Sequence, residues 1–537
     1  MDYPVIKFAG LNNRLRAGEL RNGKVWRAVN CQFRNDGSLV LPNQSTTLVK
    51  SGDCHSVFKS HVGVLYVEND NLYKLADTPV ELLTGIGSDP VNYELIGNTV
   101  YFSNGTVTGR YVKGESSTRE WGVPVPDNPT ITAITTGGMY AGDYRVVITW
   151  IADNESGAGN SETVTVAEGG GISLTSFPAA PSYVTKFAVW VSGVNGETLF
   201  LYNEYSIATT SVNIVRHDSS IALTTQFGQP PVPTSRICLH YGNLYYADGA
   251  YLRFTHLGET GPNYGLEMPF NFFPFDSTDV QVVVSVPNVL YVGTQEALYR
   301  IFNLNGEEPP ILERLQDCAA VKGSECCDTD GNAYFMTSRG FIKATPEGLQ
   351  ELSFADVAIP SYLSGYSTIT DIDGIKSLLF FGVDGTANPL VNSDWPDGVP
   401  DAWCINLETG AVSYYETFNF NTIHSGYVAN SSGISTFSTV RDGDGLVQTG
   451  KLNFDIPSQK RISDAIINVD GACTLTVATD NATVAYTVRT TTIQEHVKHD
   501  LAKGAKGAYW QFSLANKTGS SAVIGDVGLV VQPIRRH

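Results

Sequence analysis

The chain has 537 residues and a formal net charge of −19, from 35 basic and 54 acidic side chains. That length exceeds one ordinary core and predicts two or more domains, while the acidic balance argues against a protein that grips nucleic acid, because phosphate binding runs on Lys and Arg. With 52 Gly, 25 Pro, 26 Tyr and 24 Phe against 4 Met, the composition is that of a turn-rich, all-β protein and excludes a helical bundle or coiled coil.

The opening MDYPVIKFAG has no cationic-then-apolar leader, and no later run approaches the length of a membrane-crossing helix. The expectation is synthesis in a cytoplasm, with no membrane-spanning segment. Next comes AGLNNRLRAGELRNGKVWRAVNCQFRNDGSL (9–39), a polar, arginine-bearing stretch that leads into a strand. Ala28, Val29, Cys31 and Phe33 form the apolar face of that strand, which closes at the turn Asn35–Gly37.

Hairpins follow. GVLYVENDNLYKL (63–75), IGNTVYFSNGTVTGRYV (96–112), YGNLYYADGAYLRF (241–254), PNVLYVGTQEALYRI (287–301) and DGNAYFMTSRGFIKA (330–344) each alternate apolar and polar residues around Asn, Asp or Gly turns. With the further hairpin GIKSLLFFGVDG (374–385), aromatic centres recur at Tyr245, Tyr291, Tyr334 and Phe380, a spacing of roughly 40–50 residues that marks the blades of a β-propeller. Tyr101 breaks the spacing. Between it and Tyr245 lies a segment opened by WGVPVPDNP (121–129) and carrying MYAGDYRVVITWIADNESGAGN and YVTKFAVWVSGVNGETLFLYNEY. This reads as a fibronectin type III-like sandwich inserted into a propeller.

The predicted architecture is therefore an all-β propeller of about seven blades. Residues 1–123 supply a brace and the first blades, 124–215 the inserted sandwich, 216–454 the remaining blades and 455–537 a C-terminal β-sandwich.

Catalytic motifs are missing: no GxSxG, HExxH or P-loop occurs. DTDGN (328–332), DIDG (371–374) and RDGDG (441–445) resemble the start of a calcium loop but lack its closing Glu, and they read as hairpin turns. Asp394–Trp395 could line a sugar site or belong to an ordered surface loop. His61 and His240 fall in or beside strands, as core or rim residues. The eight cysteines lack CxxC spacing and read as buried, reduced thiols. No cofactor, metal site or enzymatic activity is predicted.

FAGLNNRLRAGELRNGKVWRAVNCQFRNDGSLVLPNQSTTL, VYFSNG, WGVPVP, AGDYRVVITWIADNESGAG and the closing YWQFSLAN…AVIGDVGLVVQPIRR occur in that order. As a series they resemble propeller-containing tail proteins of short-tailed bacteriophages, the nozzle or tail tubular protein B type. The resemblance implies a virion protein whose six copies form a ring around the DNA exit channel. Adaptor and portal-side proteins would lie above the ring, fibres or spikes would dock outside it, and DNA would pass without sequence-specific binding. It also makes Asn12, Asn13, Arg14 and Arg16 assembly residues, tying the chain end to its own propeller or to a ring neighbour. The alternative is a receptor-binding or carbohydrate-processing propeller of a phage tail.

Overall fold

The computed structural model describes the chain except residues 1–3, 21–22, 42–44, 217, 259–260, 276–278, 353–355, 373, 401, 417–419, 439–443, 457, 502–505, 517–520 and 535–537. Among the described residues the protein is all-β: its strands form ten sheets, no helix is present, and no sheet closes on itself. The chain divides into two compact units, Met1–Val80 with Val284–His537, and Glu81–Val283.

In the first unit, the two ends of the chain build one core together. Leu39–Leu41 and Val5–Ile6 pair antiparallel with Ala522–Pro533, which pairs in turn with Lys460–Gly471. Val25–Val29 runs antiparallel to Leu446–Thr449 and parallel to Val412–Tyr415, joining a nine-stranded sheet that also holds Trp510–Asn516 and Cys473–Thr479. Val25, Trp26, Phe33, Ile467, Leu475, Trp510 and Leu529 pack into a single apolar cluster shared by these strands. The C-terminal segment predicted as a sandwich of its own thus takes in the first forty residues as well.

Ala28, Val29, Cys31 and Phe33 are buried, as the apolar pattern predicts. They do not lie on one strand, however. The chain breaks at Asn30, which has a φ of 48°, and Val25–Val29 and Gln32–Phe33 enter different sheets. Asparagine tolerates this left-handed conformation better than most residues. Here its amide also donates to the Asp444 carbonyl oxygen at 2.9 Å and accepts from the Glu416 N–H at 3.2 Å, fixing the change of direction.

The rest of this unit consists of antiparallel meanders. Val280–Val286, Val289–Thr294, Leu298–Phe302 and Ile311–Gln316 form one, and Cys326–Cys327, Ala333–Thr337, Gly340–Thr345 and Gly348–Glu351 another. Thr422–His424, Tyr427–Asn430 and Gly433–Ser438 are completed by Ser45–Ser51, a strand from the far end of the sequence. The repeated aromatics Tyr291, Tyr334 and Phe380 are buried in these sheets, where alternation with a period of two turns each one inward.

The second unit holds the meanders Asn92–Val112 and Ile237–Pro274 and, between them in sequence, a two-sheet module. Its sheets are ordered Thr130–Met139, Gly170–Thr175, Ser211–Ile214 and Glu162–Val166, Gly142–Ile151, Lys186–Ser192, Leu199–Ser206. Val146, Ile148, Trp150, Ile172, Leu174, Phe187 and Val189 fill the core they share. The first strand pairs with the fourth, whereas an immunoglobulin constant-type sandwich keeps its first and second strands in one sheet.

The module is seated closely within its unit. A Cβ at Gly157 would stand 1.8 Å from the Gly228 carbonyl oxygen, and one at Gly122 2.1 Å from that of Gly265. Only glycine permits such backbone approach. The Trp121 Nε1–H donates to the Tyr264 oxygen at 2.8 Å, and the Asn263 amide donates to that of Glu155 at 3.2 Å.

Candidate assembly site

The structure separates the four residues Asn12, Asn13, Arg14 and Arg16 into an inner and an outer pair. Asn12 and Asn13 are 1% and 0% exposed. The Asn13 amide donates to the Ala358 carbonyl oxygen at 2.9 Å, while its own oxygen accepts the Ala358 N–H at 2.7 Å, so the side chain pairs with backbone as a strand would. Its main-chain oxygen accepts the Asn392 N–H at 2.8 Å. The Asn12 amide donates to Asp356 at 3.0 Å, and its oxygen caps the N–H groups of Arg14 and Leu15. Lys24 adds a 2.9 Å ion pair to Asp356. These bonds bridge more than three hundred residues of sequence, and buried amides are costly to leave unpaired. Asn12 and Asn13 therefore staple the N-terminal segment to its own chain.

Arg14 is half-buried, with an Nε that has no hydrogen-bond partner among the described residues, and Arg16 is exposed. A little further on, Gly18 and Leu20 line a cavity of about 620 Å³ together with Pro4, Ile6, Phe454 and Val531. The inner pair is thus spent on the fold; beyond it the Ala17 carbonyl oxygen accepts the Lys451 N–H at 2.6 Å and Ala17 and Leu20 pack on the core, which leaves the Arg16 side chain exposed.

A second tie was not visible in the sequence. Arg27 meets Asp397 in a bidentate pair, with Nε to Oδ2 at 2.8 Å and the second nitrogen to Oδ1 at 2.5 Å, and the Tyr414 hydroxyl donates to the same carboxylate. Burial alone would lower the Arg27 pKa, but the hydrogen bond and charge of Asp397 hold it above its ordinary value. Burial, with Asp397 beside it, pushes Tyr414 far up. Trp395 lies in the same loop, 7% exposed, with its Nε1–H on the Trp26 carbonyl oxygen and its ring edge-on to Tyr414. It offers no open face for stacking on a sugar and belongs to the packing of the loop.

The DTDGN turn already contains a cation. Asp328 accepts from the N–H groups of Asp330 and Asn332, from the Asn332 amide and from the Tyr334 hydroxyl, and the Lys376 ammonium lies 3.2 Å from it and 2.5 Å from Asp330. Burial alone would raise the Asp328 pKa, but Asn332 and Lys376 outweigh it and hold the carboxyl below the usual range. The ammonium sits among the carboxylates that a calcium ion would need. At DIDG, Asp371 caps the Gly374 N–H at 2.8 Å. Of RDGDG, residues 441–443 lie outside the described residues; the Gly445 N–H donates to Asn516 at 2.6 Å and the Asp444 carbonyl oxygen accepts from Asn30. Among the described residues no group of three or more His, Cys, Asp or Glu is placed to hold a metal.

Burial pushes His240 and His424 down to about 4, so both are neutral near pH 7, and His61 is exposed. Six cysteines are buried free thiols, Cys326 is half-buried, and Cys327 is exposed, which departs from the expectation that all eight are inside. Two carboxyls move the other way: burial lifts Glu94 and Glu267 to about 7. Each sits in a local hairpin, Glu94 opposite Tyr101 and Glu267 opposite Thr255, and hairpin pattern alone does not show how deeply a carboxyl is buried.

No protein-family model and no curated protein matches the chain. Among solved structures it is similar to the computationally designed protein Ika8, at 10% identity over 73% of this chain and 99% of that one, with a TM-score of 0.32. It is also similar to PorZ, a bacterial surface component of the type-IX secretion system of Porphyromonas gingivalis, at 11% identity over 91% and 100%, with a TM-score of 0.20. A third is a glycoside hydrolase at 8% identity over 82% and 96%, with a TM-score of 0.17. Superpositions this loose do not discriminate among β-rich architectures.

Proposed function

We propose that the chain is a structural subunit of a short bacteriophage tail, a nozzle of the tail tubular protein B type. Six copies form a ring around the channel through which DNA leaves, below adaptor and portal-side proteins, with fibres or spikes docked outside. The observation that carries this reading is the division of labour in the Asn-Asn-Arg segment, which opens the series of motifs resembling that family. Asn12 and Asn13 are used up inside the chain, whereas Arg14 is half-buried with a buried Nε that no described residue satisfies, and Arg16 is exposed. In a ring, these two arginines meet the acidic surface of the next copy.

The finer architecture that goes with this role is a propeller of about seven blades with an inserted fibronectin III-like module. Seven meander-type sheets among the described residues support it, counting the one that opens with Ser364–Ile372. So does the completion of the sheet Thr422–Ser438 by Ser45–Ser51, since a ring of sheets must join early and late chain somewhere. We assign the chain no catalytic step, no cofactor and no metal. Its net charge of −19 suits a channel wall that repels the phosphate backbone rather than holding it. The location is the virion.

Gold labelling of purified particles with an antibody to this chain tests the reading. Label at the distal end of a short tail is the expected result. Label confined to fibres, or a soluble protein that cleaves polysaccharide, would replace it with the receptor-binding or carbohydrate-processing alternative.

A further inference from the structure

The two-sheet module has one edge built differently from the others. Thr130–Met139 pairs in its sheet with Gly170–Thr175, and beyond Ile134 the Gly138 N–H donates to the Val215 carbonyl oxygen at 2.7 Å; the other side of Thr130–Ile134 is an open strand edge among the described residues. Among the described residues it is the longest strand at a sheet edge that carries neither a charge nor a proline, and seven of its ten residues are exposed. Its regular part, Thr130 to Ile134, is rich in β-branched residues, and a bulge over the next four ends it before Met139. Open edges are ordinarily blunted by charges, prolines or bulges, because a bare row of N–H and C=O groups invites another strand. The edge strand Thr491–Asp500 follows that habit, with Glu495, Lys498 and Asp500, whereas the uncharged edge strand Thr483–Thr487 is half as long as Thr130–Met139.

The module that carries the bare edge is acidic as a whole. Residues 124–215 contain eight acidic side chains against Arg145 and Lys186, a net of −6. A second copy would bring the same −6 to the contact, so like charge disfavours self-pairing and opposite charge favours a basic partner. Gly122 and Gly157 fix the module to the hairpin Tyr251–Pro274 and the segment before it, so the edge is presented rigidly.

We propose that the edge Thr130–Ile134 is a strand-addition site for a partner polypeptide that contributes an uncharged, β-branched strand flanked by Lys or Arg. Main-chain hydrogen bonds to the edge give the pairing its affinity, and the acidic module selects the flanks. The proposal rests on the nozzle reading, in which fibres or spikes dock outside the ring, and names the surface and the partner chemistry.

The probe is a synthetic peptide, Lys-Lys-Thr-Val-Thr-Val-Thr-Lys-Lys, added to the full-length protein and followed by fluorescence anisotropy and hydrogen exchange. The expected result is slowed exchange over 130–136 and binding that weakens about tenfold or more between low and physiological salt. A matching peptide with Glu in place of Lys does not bind. Thr132→Lys with Thr135→Lys, both exposed positions, abolishes binding without moving the thermal midpoint. Absence of binding at about 1 mM peptide in low salt, protection elsewhere, or equal binding of the acidic peptide would overturn the proposal. Light scattering on the same double variant keeps the two readings apart. An intact ring that has lost the peptide is the expected outcome, whereas loss of the ring would make the edge a contact between copies and overturn the proposal. A protein that binds the peptide but forms no ring would leave the edge assigned and remove the nozzle reading.

Discussion

The two-sheet module and the double sheet formed by the chain's ends solve the same packing problem at opposite sequence ranges. The module's core runs from Val123 to Ile214 without leaving that stretch. The other core joins Ile6, Trp26 and Phe33 to Val447, Trp510 and Leu529. A local core closes short loops, whereas the terminal core must bring together segments more than four hundred residues apart, at a greater entropic cost and a slower rate. The first therefore behaves as a unit that folds by itself, and the second as one that forms only when the rest of the chain is in place.

Deleting residues 1–41 sharpens this difference most. It removes Val5–Ile6, Val25–Val29, Gln32–Phe33 and Leu39–Leu41 from two sheets at once. The expected result is loss of cooperative unfolding for the unit Met1–Val80 with Val284–His537, while hydrogen exchange in the module stays protected. Deleting 126–215 should do the reverse, leaving the terminal sheets protected.

Next in size is Lys376→Met, which removes the ammonium facing the buried Asp328 carboxylate and leaves it to its hydrogen bonds from Asp330, Asn332 and Tyr334; it should cost about 3 kcal/mol in chemical denaturation. Asp328 has a depressed pKa in the folded state, so the stability it contributes is present above the unfolded carboxylate value and is lost as pH falls through the folded one. The natural chain should lose this contribution below about pH 4, and the variant should not show that loss.

A smaller effect is expected of Asn13→Ala, about 2 kcal/mol, because it leaves the N–H and C=O of Ala358 unpaired. Asn12→Ala should cost about 1 kcal/mol. Gly157→Ala, on the module's side of the comparison, should cost about as much as Asn13→Ala by forcing the backbone off Gly228. The last case is read through pH: Glu267→Gln. Burial raises this carboxyl to about 7, so its contribution is complete below the unfolded value and lost as pH rises through 7. The Gln variant should melt higher than the natural chain at pH 8 and the same at pH 4.

The contrast between local and distant cores also explains which features the amino-acid pattern reveals. Period-two alternation and Asn-Gly turns are local signals, so the buried aromatics Tyr245, Tyr291, Tyr334 and Phe380 and the strands of the module were legible in the sequence. Pairing partners are not local signals. Nothing near Val25–Val29 announces Leu446–Thr449, and nothing near Arg27 announces Asp397. The same limit applied to the candidate site. The polar run could be seen, but whether Asn13 would face Ala358 or a neighbouring copy depended on where residues 356–358 came to lie. Lys376 is the plainest case: an Asp-rich turn resembled a calcium loop until a strand more than forty residues later placed an ammonium in it.

The most direct test of the nozzle reading is the mass of the purified full-length protein by light scattering at high concentration. The account predicts a closed ring of about 350 kDa, six times the 58.1 kDa chain. A monodisperse 58.1 kDa monomer across the accessible concentration range would contradict it.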